Sequence, residues 1–581
     1  MRSLLKLLPY MKPYRSRYAF GLFLVLIGVM LAVISPLVIK AAIDGLQKGD
    51  LARPIFHFSL ALLLIGLARG VLMFKGRFTL IAASRSIEYD IRSALYRKLL
   101  SLPPSFFDRS ATGDLESRVI NDVEGIRMVC GIAIMLSLSS GLMTVLSLVA
   151  MFSIDATLAS LSIVPLGLIS LFTSLLTKRI YQESEIVQKR LAEMTTVAQE
   201  NFTGVRVVRA FVQEETEVDK FRAAARAYVN ANLKLSLTRG ATWGMMTLLI
   251  EAGVGVVLLV GGLGILNGRL TLGEFTAFTA YQFMLSWPVI AMGWVITLIQ
   301  RGAACIDRIS LILEEPEEEV LGSASRNTPP KKGEIVIKNL TFRYTKDRLP
   351  ALKDLSLTIR AGERVAIVGR TGAGKSTLLQ LLLGHYRPDN GTIFLDDHDV
   401  NDYTRRALRE EIGIVPQDAF LFSDSLAANI KFGAKSEVSS DALDRAVESS
   451  RLAADLTQFP QGLEQIVGER GITLSGGQKQ RTAIARAFIR EPRILLLDDA
   501  LASVDVHTEN EILERLDEHL NGRSCLIVTH RFSIVSKVDR ILVLDEGKLV
   551  EEGRHDDLVN AGGLYAQLVK RQQLEESLKL G

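Results

Sequence analysis

Gly369–Ser376 reads GRTGAGKS, with a strand-like run ending at Val368 before it and the helix-like run TLLQLLLG directly after it. That strand–loop–helix setting carries the phosphate-loop spacing of two glycines, a lysine and a hydroxyl residue. The glycines let the backbone N–H groups of Gly369, Arg370, Thr371, Gly372, Ala373 and Gly374 turn toward an anion. Thr377 lies in the first turn of a helix whose N-terminus favours phosphate. Lys375 supplies a mobile cation for the β- and γ-phosphates of a nucleotide, and Ser376 a hydroxyl for Mg2+.

Five further segments could complete such a site. Ile494–Asp499 reads ILLLDD, an apolar run suited to a buried parallel strand, with acids at the end where ligands bind. Asp498 can then hold Mg2+, and Asp499 stands beside the γ-phosphate. Gln417 follows the strand-like IGIVP, and its amide could meet a metal-bound water. His530 follows SCLIVT and could donate toward the γ-phosphate, although a lone strand-end histidine is also a common structural residue. Leu474–Gln478 reads LSGGQ, and Ser475, Gly476, Gly477 and Gln478 could present donors to phosphate at a helix start; an ordinary helix cap explains the same residues. Tyr344 is placed to stack on adenine, with Phe342 as the competing ring.

The elements that must position these residues divide sharply. The chain has 581 residues, is 48% hydrophobic and 23% charged, and has a formal net charge of +4. Three cysteines, Cys130, Cys305 and Cys525, have neither disulfide-scaffold nor metal-ligand spacing. The small net charge gives no footprint for nucleic acid. Most of the apolar excess precedes residue 300. A span needs about 20 mainly apolar residues. Six stretches meet or approach that length: Tyr18–Ala42, Ile55–Ala82, Met128–Ile154, Thr157–Leu176, Ala241–Leu266 and Leu272–Ile299. Arg69, Lys75 and Arg77 interrupt the second, so they must snorkel, face the bundle interior or lie outside the lipid. Glu251, in the fifth, needs a cavity or a polar partner, either as a substrate contact or as an interfacial structural residue.

Short links alternate with long ones, and the basic residues gather before the first span and in the second link, which places both termini in the cytoplasm. The long links, about Ala83–Arg127 and Thr177–Gly240, keep helical periodicity. They read as membrane helices continuing into the cytoplasm and turning back near Ser110–Gly113 and Asn201–Gly204, with independent soluble insertions as the alternative. No small-residue cleavage site closes the first apolar run, so a signal peptide is not expected.

With six spans, a phosphate loop, LSGGQ and the paired acids, the sequence resembles the ATP-binding cassette exporters over nearly its whole length. The resemblance implies an all-α six-helix transmembrane domain with long cytoplasmic helix extensions, followed by an α/β P-loop ATPase domain with a helical subdomain. The expected organisation is a cytoplasmic N-terminal segment at 1–17, the membrane domain at 18–313, a linker at 314–332, the ATP-binding domain at 333–570 and a tail at 571–581. It further implies that two chains dimerise with ATP and Mg2+ between the phosphate loop of one and LSGGQ of the other. Tyr344 is then the adenine-stacking aromatic, Gln417 the lid glutamine, Asp505 the acid of a short dimer-coupling loop and His530 the switch histidine. Val467–Gly471 becomes the stretch that meets the intracellular turns of the membrane domain. The implied setting is a bacterial inner membrane, and the implied cargo a drug-like molecule or a lipid.

One position departs from that family. Glutamate is expected after the metal-binding aspartate, but this chain has Asp499, shorter by one methylene. A misplacement of about 1 Å can cost roughly a hundredfold in rate. The expectation is therefore a heterodimer whose partner carries the glutamate, this chain's own site being degenerate while its LSGGQ completes the partner's. A homodimeric lipid A or phospholipid flippase with two equivalent sites is the alternative, since His530 is retained. An ATP-gated channel or regulatory membrane protein on the same scaffold is the reading from another class.

Overall fold

A helix rises 1.5 Å per residue, so the 47-residue rod Ile55–Ser101 is about 70 Å long. That is more than twice the roughly 30 Å hydrocarbon core of a bilayer. Such lengths recur along the first half of the chain in the computed structural model, which describes residues 2–47, 53–318, 326–345, 347, 349–468, 471–501, 508–509, 511–512, 514–515 and 522–580. Among the described residues, five helices are long and apolar enough to cross a membrane: Ser3–Gln47, Ile55–Ser101, Thr112–Ile154, Glu214–Leu266 and Leu272–Leu313. The expected fourth crossing, Thr157–Leu176, lies within helix Ala156–Thr203, whose apolar stretch over the described residues is the shorter Ala156–Ile169. The chain is a multi-pass membrane protein.

The long links are continuations of these helices and not inserted domains. Ala156–Thr203 and Glu214–Val256 pack along each other. The turns overlap their expected places, at Ser110 and at Gly204, but are wider than expected. Pro103–Pro104 cannot continue a helix, so the first rod stops at Ser101, and a short helix, Pro104–Asp108, precedes the restart at Thr112. The second turn begins at Gly204 and runs through the short helix Val205–Ala210 before helix resumes at Glu214.

The chain forms two compact units, Met1–Leu100 with Thr112–Glu315, and Ser101–Ala111 with Pro316–Gly581. Within the first, helices approach closely where glycines meet. A Cβ on Gly76 would lie 3.0 Å from the carbonyl oxygen of Gly21 and 2.9 Å from Val25, so a larger residue would push these helices apart. The core gathers around Phe278, Tyr281 and Leu285, and the Tyr281 hydroxyl donates to the Val33 carbonyl at 2.7 Å. Arg69 and Arg77 face the bundle. They line a cavity of about 420 Å³ with Met73, Met135, Ser140 and Trp287. Glu251 is exposed on this chain's own surface.

The second unit holds two sheets. Strands β1 (Ile335–Phe342), β2 (Leu352–Ile359), β4 (Ile393–Leu395) and β5 (His398–Asp399) form an antiparallel sheet in the order β2-β1-β4-β5. Strands β3 (Arg364–Gly369), β6 (Ile412–Val415), β7 (Ile494–Asp498), β8 (Ser524–Val528), β9 (Arg540–Asp545) and β10 (Lys548–Gly553) form a second, in the order β10-β9-β3-β8-β7-β6. All of its pairings are parallel except that of β10 with β9. Its central strands are buried on both faces and accordingly apolar along most of their length. A helical subdomain contributes Leu426–Lys431, Ser440–Ser449 and Gly476–Phe488, the last packing Ala483, Ile484 and Phe488 against the sheet core.

His385 follows the phosphate-loop helix and hydrogen-bonds through Nδ1 with Gln380 Oε1. Burial, and then the Arg409 guanidinium, push its pKa down to about 4 from an ordinary 6.5. The unfolded chain therefore binds the proton first, and stability is lost as pH falls from 6.5 toward 4, by about 3 kcal/mol at the lower end. Native-state hydrogen exchange of β3 and β8 amides against pH should show this loss. His385→Asn, whose amide can still donate to Gln380, should flatten that part of the profile; an unchanged profile would refute the assignment.

Candidate active site

Four sheet strands end on the same side, and each delivers part of the site. From β3 comes the loop Gly369–Gly374, running into helix Lys375–Leu382. Gly374 has φ +96°, and a Cβ there would lie 2.6 Å from the Ala351 carbonyl oxygen. Only glycine fits so close to neighbouring backbone. Lys375 is buried, and its Nζ donates to the carbonyls of Gly369 and Arg370, 2.9 Å each. Burial lowers its pKa, while Asp498 and Asp499 act in the opposite sense. The ammonium is thus held at the loop's centre by weak, exchangeable partners, where phosphate oxygens could replace them.

From β7 come the two acids. The Ser376 hydroxyl donates to Asp498 Oδ1 at 3.2 Å. Burial raises the Asp498 pKa, the Ser376 hydrogen bond lowers it, and Asp499 raises it further. A desolvated carboxylate beside a hydroxyl is the hard-oxygen pair that suits Mg2+, which takes few protein ligands and completes its shell with water and phosphate. Among the described residues no cluster of three or more His, Cys, Asp or Glu side chains offers a site of the other kind. Asp499 leaves the strand with φ +46°, its N–H donating to the Val528 carbonyl at 2.8 Å. Aspartate is among the few residues that enter this region readily.

From β8 comes His530, just past the buried Thr529. Burial first, then Lys375, lower its pKa, and Asp499 raises it. The imidazole therefore shares the electrostatic field of both groups and is held toward its neutral form. From β6 comes Gln417, exposed beyond Val415. Phe342 lies in the core at 8% exposure, while Tyr344, past the end of β1, is 40% exposed. The Tyr344 hydroxyl donates to Thr377 Oγ1 at 2.9 Å, fixing its ring beside the phosphate-loop helix.

The LSGGQ segment forms a capping box at the start of helix Gly476–Phe488. Ser475 Oγ accepts from the Gln478 N–H at 3.3 Å, and Gln478 Oε1 accepts from the Ser475 N–H at 3.0 Å. Ser475 and Gly476 are exposed, so the cap also leaves a helix N-terminus facing outward. Asp505 lies outside the described residues, as do Glu469 and Arg470 within Val467–Gly471. Sequence reasoning passed over Tyr386, whose ring meets Tyr344 edge-on at 4.9 Å between centroids. Its one local signal is an aromatic just past the phosphate-loop helix.

Known proteins match this arrangement along the whole chain. The family model described as the ABC transporter transmembrane region matches residues 18–289, and that described as ABC transporter matches 352–502. The chain is 33% identical to the probable multidrug resistance ABC transporter ATP-binding/permease protein YheI of Bacillus subtilis, covering 99% of this chain and 98% of that one. It is 32% identical to the ATP-dependent lipid A-core flippase of Pseudomonas aeruginosa, covering 97% and 95%. A solved structure of a bacterial Atm1-family ABC exporter with ATP bound aligns with TM-score 0.81 and 28% identity, over 96% of this chain and 98% of that one. The chain belongs to the ABC transporter family, as an exporter-type membrane region joined to its own transport-coupled ATP-hydrolysing domain, with ATP and Mg2+ as its cofactors.

Proposed function

We propose that this chain exports an amphipathic, lipid-like molecule across a bacterial inner membrane, acting as a dimer of two copies with equivalent ATP sites. The observation that carries this reading is the cavity in the membrane unit, where Met73, Met135 and Trp287 face an acyl-like body and Arg69 and Arg77 an anionic head. Lipid A-core flippases among the 31–33% identical relatives support the same choice of cargo. The equivalence of the sites is supported by what this chain retains: the caged Lys375, the Ser376–Asp498 pair, and His530 in the field of Asp499. The membrane region is assigned to 18–313, the linker to 314–332 and the ATP-binding domain to 333–570, with both termini cytoplasmic.

In this reading Tyr344 stacks on adenine, and the N–H groups of Gly369–Thr377 surround the phosphates. Ser376, Asp498 and Gln417 would hold Mg2+, which would supply charge neutralisation to the transferring phosphoryl group. Asp499 orients the attacking water and takes its proton, while Lys375 and His530 hold the γ-phosphate oxygens. The helix N-terminus at Ser475–Gln478 of the second copy, exposed at Ser475 and Gly476, closes the site, with Asp505 at the contact between copies. Asp499 itself favours one other reading, a pair with a different chain that carries glutamate at this place. Expressed alone in nanodiscs, the chain should then separate the two. Two equivalent sites give a particle of two copies that hydrolyses ATP, and Lys375→Ala slows it by about a hundredfold or more. A chain inactive alone but active beside a glutamate-bearing exporter chain would establish the unlike pair.

The pH profile offers an independent check. With the His530 imidazole held neutral by burial and by Lys375, protonation should impair turnover only below the ordinary histidine value of about 6.5. His530→Gln should remove that acid limb while leaving a slower, pH-flat rate. A limb centred above 6.5, or one surviving the substitution, would show that another group titrates.

A further inference from the structure

Both chain segments that enter the nucleotide unit from the membrane helices attach to one short turn, Leu383–Arg387, directly after the phosphate-loop helix. The first segment is Ser101–Ala111, where Phe106 is buried and the Asp108 carboxylate accepts from the Tyr386 hydroxyl. The second is the start of the linker. The Glu318 carboxylate pairs with the Arg409 guanidinium, and Arg409 in turn donates to the carbonyls of Leu383 at 3.0 Å and Gly384 at 3.3 Å. Arg387 donates to the Glu318 carbonyl at 3.2 Å, and the Glu318 N–H donates to the Ser101 carbonyl at 2.9 Å, tying the two segments to each other.

Tyr386 sits where that node meets the nucleotide site. Its ring packs edge-on against Tyr344 at 4.9 Å and against Phe342 at 5.8 Å, and Tyr344 in turn donates to Thr377. Packed aromatic rings shift together, because a gap of even half an ångström forfeits much of their contact energy. Burial and the Asp108 carboxylate both favour the protonated phenol, so its O–H remains a donor. We infer that Tyr386 is a positioning residue that reads occupancy of the adenine face of Tyr344 and passes it, through its hydroxyl, to Asp108 in the turn joining two membrane helices. The turn therefore responds to the base of the nucleotide and not to its phosphates alone. This rests on Tyr344 being the base-stacking ring.

Hydrogen exchange of the full-length protein in nanodiscs tests the inference without reference to cargo, so its failure is distinguishable from failure of the export reading. Saturating AMP-PNP with Mg2+ should slow exchange of the 102–111 amides by about threefold or more, whereas saturating tripolyphosphate should leave them unchanged. Tyr386→Phe keeps the ring packing and loses the hydroxyl. It should bind a fluorescent ATP analogue with unaltered affinity and lose the AMP-PNP response. Asp108→Ala should lose the response equally, Asp108→Asn should keep it because the amide oxygen still accepts, and the Tyr386→Phe, Asp108→Ala pair should be no worse than either alone. A response retained in Tyr386→Phe, an equal response to tripolyphosphate, or weakened nucleotide binding in Tyr386→Phe would each overturn the relay.

Discussion

An ammonium ion buried at the throat of a loop is the constraint from which the nucleotide unit follows. Removing a charge from water is expensive unless polar partners replace the solvent. For Lys375 those partners are two loop carbonyls at 2.9 Å and the two acids at the end of β7. The carbonyls are within reach only because glycines let the loop curl at conformations closed to other residues. The acids are within reach only because β3, β8 and β7 lie side by side and parallel, ending together. An anionic ligand then meets a cation already desolvated and aimed, so little reorganisation is required when phosphate arrives.

The same rule in a harsher solvent shapes the membrane unit. Lipid offers no partner to a free N–H or C=O, so each crossing is a continuous helix. Guanidinium groups on such helices are tolerated where they face a cavity, and Arg69 and Arg77 line one. Helices that simply continue past the lipid are rigid levers. The rod Ile55–Ser101 is about 70 Å long, and the segment that follows it, Ser101–Ala111, belongs to the compact nucleotide unit.

What could be read from sequence was local. The strand–loop–helix of the phosphate site, the acids of β7 and the cap at Ser475 each lie within a dozen residues, where periodicity and turn chemistry act directly. Tyr344 against Phe342 was not separable by alternation, since both fall on one face of a pleated strand. The structure separates the two rings, since β1 stops at Phe342 and Tyr344 leaves the pleat. The first turn is wider than expected because Pro103–Pro104 ends the helix before Ser110–Gly113 is reached. The Tyr386–Asp108 bond joins residues 278 apart, and no short-range pattern announces it.

For the water-orienting role proposed for Asp499, side-chain length alone is a poor guide. Its carboxylate is one methylene short of glutamate's, but its backbone turns at φ +46° immediately after β7, a conformation in which aspartate is enriched and longer unbranched residues are not. The N–H bond to Val528 fixes that turn to the neighbouring strand, and the strand end itself is pinned through Asp498 to Ser376. Reach is therefore set jointly by the side chain and by a backbone that this residue type holds at lower strain. A substitution by glutamate adds length while raising the conformational cost of the turn, so the two effects oppose each other in the position of the carboxylate. In the proposed reading, the geometry of this turn, together with the acid it carries, sets where the attacking water stands.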